Sequence, residues 1–462
     1  MLGLALFVTT ALLAPDAAQV AALRHKAHPE LMAIVDAARS APPEFAADAL
    51  LRVAEYPKLT DTQWKRGLAE EAFQSATAAR NPIRQTAMVG PPGRHFLRVS
   101  PRLDRLSLQV RAVKAMLRID ARRARSLFEA MSRPVPRRLT CSDTLLDEPS
   151  PYYDLLAEIA DSTFTLEERR KERHLGPALA AVAGMTSAVE IAPVANLISR
   201  LNLTIEQREL LATQLASALA RIEGDDRAFG SSLWLIEAAM KDLTSKCGES
   251  AGAVQAAYRK FLVANFRGPR CAEDFDSKLP LAAFFADIAV RENFTEEERK
   301  PGEVAGAAAI QAYFESTEAR RFLKESRQLM FTAKAQRESV AWREKFDDFV
   351  RGLENWKAAE GQSESELFRL RGGFLSSVAV LLPPGPERDQ AILRTVGYFK
   401  NSPAQSEDWL EWFNEVQSLV RFMRALEPAE GAKFLDALEA SGHPVLALYA
   451  KIERTLSDGK PD

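Results

Sequence analysis

Residues that carry chemistry are scarce in this chain. Among 462 residues there are three cysteines and five histidines. Cys141, Cys247 and Cys271 form no Cys-x-x-Cys pair, so no zinc framework is expected. The histidines His25, His28, His95, His174 and His443 include no His-Glu-x-x-His. His25 and His28, with Glu30 nearby, read as an exposed helix end, and neither a metal nor a cofactor is expected. GxSxG, P-loop and GxGxxG patterns are absent, which removes the common hydrolase, NTPase and dinucleotide signatures. Alternating β-branched runs are missing too, so no sheet is expected. The uncharged runs Leu2–Ala14 and Gly372–Pro386 fall short of the roughly 20 residues that span a bilayer. The net charge of −2 names no partner.

What remains is ordinary folded composition, 47% hydrophobic and 27% charged. Leu2–Ala14, broken by Pro15 and Asp16, suits the apolar core of a secretory signal peptide covering residues 1–22. Val20-Ala21-Ala22 offers a cleavage site, although no Lys or Arg precedes the run. The alternative is an apolar helix docked on the fold. A periplasmic or secreted location follows from the first reading, with no transmembrane segment after signal removal.

Apolar residues recur at helical spacing nearly everywhere. Trp342, Phe346, Phe349, Val350, Leu353 and Trp356 make one such stripe; Trp409, Trp412, Phe413, Val416, Leu419, Val420 and Met423 make another. The spacing predicts an all-α fold of about eighteen helices.

One short phrase is written more than once. "FTLEERRK" begins at Phe164 and "FTEEERK" at Phe294; "LTIEQRE" and "LTDTQWK" are looser copies. Each places Thr three residues before Glu or Gln: Thr60/Gln63, Thr165/Glu168, Thr204/Gln207 and Thr295/Glu298. That is the capping box, and the apolar residue before each Thr occupies the hydrophobic-staple position. Upstream stand "LLAEIA" at Leu155–Ala160 and "FFADIA" at Phe284–Ala289. The recurring unit is helix, turn, capped helix, of the length used by two-helix repeats. Ala124-x3-Phe128, within the hairpin Ser107–Met131, is a fragment of the tetratricopeptide pattern. The resemblance is to α-solenoids (HEAT- and TPR-like proteins) as a class. It implies a solenoid of helix-hairpin repeats over 23–299 and a C-terminal helical bundle over 300–462, with a seam at Lys300-Pro301-Gly302.

Long connections interrupt the helices at Asn81–Arg102 and Ser132–Pro151, lengths usual for functional or disordered loops. Arg94–Arg138 holds thirteen Lys/Arg and three acids, whereas Leu139–Glu168 holds eight acids and no base. The basic block is a candidate surface for an anionic envelope component, with Arg94, Arg98, Arg102, Arg133, Arg137 and Arg138 as binding residues. The competing reading sets the two blocks against each other across neighbouring helices. Phe96 and Phe128 are the block's only aromatics, which argues against nucleic acid. Cys141 and Cys271 occupy matching places in the two repeat units and are a candidate disulfide.

Glu249-Ser250 stands at a helix start and resembles the catalytic Glu-Ser dyad of soluble lytic transglycosylases. That resemblance implies a cell-envelope glycan-cleaving enzyme with Glu249 as acid/base, which needs burial to raise its pKa. The same cluster also reads as a cap for the next helix. The expected function is an exported, non-catalytic helical-repeat scaffold that binds another protein. The alternatives are the glycan enzyme and a cytoplasmic helical adaptor.

Overall fold

A computed structural model of the protein describes residues 26, 28–87, 102–140, 143, 145–222, 228–268, 270–271, 280–300, 304–306, 317–359, 362–402, 409–424 and 428–456. The expected signal peptide, residues 1–22, and residues 301–302 of the expected seam lie outside them.

The fold is all-α, with twenty α-helices among the described residues. The first half comprises α1 (Pro29–Arg39), α2 (Pro43–Ala54), α3 (Thr62–Thr77), α4 (Arg105–Leu117), α5 (Ala121–Glu129), α6 (Ser150–Ser162), α7 (Leu166–Arg170), α8 (Leu175–Ala183), α9 (Ile191–Arg200) and α10 (Ile205–Leu219). The second comprises α11 (Ala228–Thr244), α12 (Ala251–Arg267), α13 (Pro280–Arg291), α14 (Thr317–Gln336), α15 (Val340–Asn355), α16 (Glu364–Ala379), α17 (Pro386–Asn401), α18 (Trp409–Arg424), α19 (Pro428–Ala440) and α20 (Pro444–Leu456).

Local chemistry sets these boundaries. Proline at the first turn opens α1, α2, α6 and α17, where its missing N–H costs nothing. Asp61, Asp104 and Asp120 accept the amide of the third helical residue of α3, α4 and α5. Thr165 and Thr204 form complete capping boxes at α7 and α10. At Thr295 the same pair of bonds closes over a single turn rather than a helix. Thr60 does not cap: the adjacent Asp61 takes its place, because a carboxylate one residue nearer reaches the Trp64 amide at 2.9 Å.

Between 150 and 267 alternate helices stack in two layers. α6 packs on α9 and α9 on α11, while α8 packs on α10 and α10 on α12. Two short strand pairs correct the expectation of none. β1 (Gln85–Ala87) runs antiparallel to β2 (Leu145–Asp147), and β3 (Arg270–Cys271) runs parallel to β4 (Val304–Gly306). The first pair joins the two long interhelical connections, with Thr86 opposite Leu146. Strands of two or three residues leave no alternation long enough to recognise in a sequence.

The apolar side chains form two clusters. One takes residues from Leu31 to Phe294 and again from Ile392 to Ile452; the other lies between Ala319 and Ala391. The end of the chain therefore returns to its beginning, and α20 packs on α1 and α2. Phe45 is fully buried at that junction, with ring centroids 4.9 Å from Phe413, 5.6 Å from Trp409 and 6.2 Å from Tyr449. Edge-to-face geometry at these distances adds to the area each ring buries.

Candidate interaction surface

Several cations of the basic block pair with acids of the fold. Arg133 Nη1 donates to Glu190 Oε1 at 2.5 Å, and Glu190 also accepts from the Tyr153 hydroxyl and the Thr186 and Ser187 amides. The Arg137 amide donates to Asp147 at 2.7 Å, and its guanidinium faces the same carboxylate. Lys114 pairs with Glu158, and Arg125 with Glu168. Sequence neighbours of opposite sign thus meet across adjoining helices, and the anion-binding reading loses Arg133 and Arg137 to internal pairs. Arg102, Arg137 and Arg138 are all exposed. Arg94 and Arg98 lie outside the described residues, and the Cys141–Cys271 pairing lies outside the described side chains. Cys247 is a buried free thiol, and burial raises its pKa.

The repeated phrase has a partner that the phrase itself does not contain. Arg125, on α5, lies 4.6 Å from the Phe164 ring centroid and bonds Glu168 at 3.0 Å. Arg259, on α12, lies 5.4 Å from the Phe294 ring and bonds Glu298 at 2.7 Å. In each unit an arginine from an earlier helix clamps both the staple ring and the capping glutamate. Hydrogen bonds from Arg259 and from the Thr295 amide lower the Glu298 pKa to about 2. Glu168 is lowered likewise, first by the Thr165 amide. The upstream segments match as well: Ile159 and Ile288 are both core residues.

Neighbouring turns are linked along one edge. Gln207 donates to Glu172 at 3.0 Å, and the Asn202 amide reaches Asp161 at 3.4 Å. Glu209 Oε1 accepts the amides of Glu249 at 2.9 Å and Ser250 at 3.4 Å. Glu249 thus stands in a short 3-10 turn, Gly248–Ser250, and is exposed. The Ser250 hydroxyl donates to the Cys247 carbonyl at 2.9 Å and not to Glu249. The burial that an acid/base glutamate requires is missing at this position.

A second set of charges is buried where the chain ends meet, and sequence inspection did not find it. Asp48, on α2, accepts from Arg52 at 2.8 Å, Arg111 at 2.6 Å and the Tyr449 hydroxyl at 2.6 Å. Burial alone would raise its pKa, but the two guanidiniums and the phenol hold it far below the usual carboxylate range. Tyr449 is pushed well up by burial and by the Asp48 charge. One helical turn earlier, Glu44 is fully buried and accepts from Arg80 at 2.6 Å. Arg80 in turn stacks 4.2 Å over the Trp409 ring. The available signal was the i, i+4, i+8 run of Glu44, Asp48 and Arg52 in an otherwise apolar helix. Both carboxylates in the set are paired with guanidiniums, and Glu44 Oε2 is left buried without a hydrogen-bond partner.

Two surface features remain. A groove of about 350 Å³ is lined by Leu117, Ala157, Glu158, Asp161, Ser162 and Arg200. Of its charged residues, Glu158 pairs with Lys114 and Arg200 with Asp154, and Asp161 accepts from the Asn202 amide. On α11, Trp234 is 57% exposed beside exposed Leu235. Arg291 of α13 pairs with Glu237, and Val290 beside it in sequence is 62% exposed. No group of three or more His, Cys, Asp or Glu with metal-holding geometry occurs among the described residues. None of the described helices is long and apolar enough to cross a membrane. Comparisons with protein-family models, curated proteins and solved structures gave no match.

Proposed function

We propose that this chain is an exported, non-catalytic helical-repeat scaffold that binds another protein through the outer side of its stacked helices. The observation that carries the reading is Trp234, 57% exposed beside exposed Leu235 on α11, where Glu237 pairs with Arg291 of α13. Large exposed aromatic residues on rigid helices are favoured anchors at protein interfaces. Repeat architectures stack units into extended surfaces of this kind. The Leu2–Ala14 run supports export.

Site-directed photo-crosslinking in the native host tests the proposal. A crosslinker at position 234 is expected to give a discrete adduct in the envelope fraction, and one at exposed Thr213 is not. The mature chain should begin after about residue 22, the end of the signal segment. A full-length chain confined to the cytosol with no adduct at 234 would overturn the reading.

A further inference from the structure

We propose that the outer face of α14, with the turn that follows it, docks on an anionic lipid bilayer. The inference is separate from the scaffold reading: it concerns another surface and holds in either compartment.

One side of α14 sends Ala319, Phe322, Leu329 and Ala333 into the second core. Opposite them Arg320, Lys324, Arg327 and Phe331 fall at i, i+4, i+7 and i+11, a single line along the helix, and all four are exposed. Phe331 is 86% exposed and Met330 47%. Across the turn to α15, Val340 is 73% exposed. Met330 and Phe331 thus stand exposed in the last third of α14, and Val340 is exposed at the first position of α15. From Arg320 to Lys345 the sequence holds eight Lys/Arg against three acids, in a chain whose net charge is −2.

Apolar side chains flanked by cations are what an interfacial helix offers a membrane. The apolar groups enter the boundary between headgroups and acyl chains, and the cations meet anionic headgroups. Charge complementarity selects this occupant. The Trp234 region has no such basic line.

The test is co-sedimentation of the full chain with phosphatidylcholine vesicles, with and without one-third phosphatidylglycerol. Binding is expected only to the anionic vesicles and should weaken as salt rises. Phe331→Ser, and the triple change Arg320→Glu, Lys324→Glu and Arg327→Glu, should each lower affinity by about tenfold or more. The Phe331→Trp chain gives a readout independent of lost binding: the emission of the added indole should shift to the blue and be quenched by brominated lipid. No binding to anionic vesicles overturns the proposal. So does binding unchanged in both loss variants, or an added indole that lipid does not quench. Self-association abolished by Phe331→Ser, without vesicle binding, would assign the face to a second copy instead.

Discussion

The Tyr449 hydroxyl donates to Asp48 at 2.6 Å across 401 residues of chain. No local rule brings those residues together; only the return of α20 onto α2 does. Tyr449→Phe removes one hydrogen bond to a buried charge and should cost about 1.5–3 kcal/mol. Asp48→Ala leaves two guanidiniums without their shared carboxylate and should cost about 3–5 kcal/mol. Urea denaturation of the two variants measures both, and equal losses would mean that the phenol, not the charge pairs, dominates.

The Arg259–Glu298 clamp predicts a specific acid response. The folded-state pKa of Glu298 lies near 2, below its ordinary value of 4.5. Its contribution is therefore complete above pH 4.5 and is lost as pH falls towards 2. Arg259→Gln should bring the Glu298 titration back towards the ordinary value, read by NMR of the side-chain carboxyl.

At the start of α3 two adjacent residues compete for one role. Asp61→Ala should cost about 1 kcal/mol, the usual loss for an N-cap. Thr60→Ala should stay within about 0.5 kcal/mol of the parent. Thermal melts of both variants decide which residue caps.

Close packing between α16 and α17 gives a fourth expectation. A Cβ at Gly372 would meet Phe399 Cε1 at 2.6 Å. Phe399 is fully buried and has little room to yield, so Gly372→Ala should destabilise by about 1–3 kcal/mol. The companion change Phe399→Leu in that background should recover part of the loss in the same denaturation assay.

The sequence displays the helices through their stripes and caps, because both are local properties of a few neighbouring residues. Thr165/Glu168 and Thr204/Gln207 are legible for that reason. Arg125 and Arg259 are not, since each acts from an earlier helix and neither has a repeated phrase of its own. The strand pair 85–87 with 145–147 is hidden by its shortness. The fate of the basic block turned on which helices lie side by side. Spacing could describe both blocks but could not decide between facing a ligand and facing each other. The α14 surface escaped notice because Ala319, Phe322, Leu329 and Ala333 mark the same segment as an ordinary core helix, and exposure alone singles out Phe331.

The placement of Phe45 has a consequence for the order of synthesis. Its ring is enclosed by Trp409, Phe413 and Tyr449. A ribosome releases those partners only long after Phe45 has emerged. Until then the first helices lack the surface that completes their burial, and the nascent chain carries an unfinished core through most of its elongation.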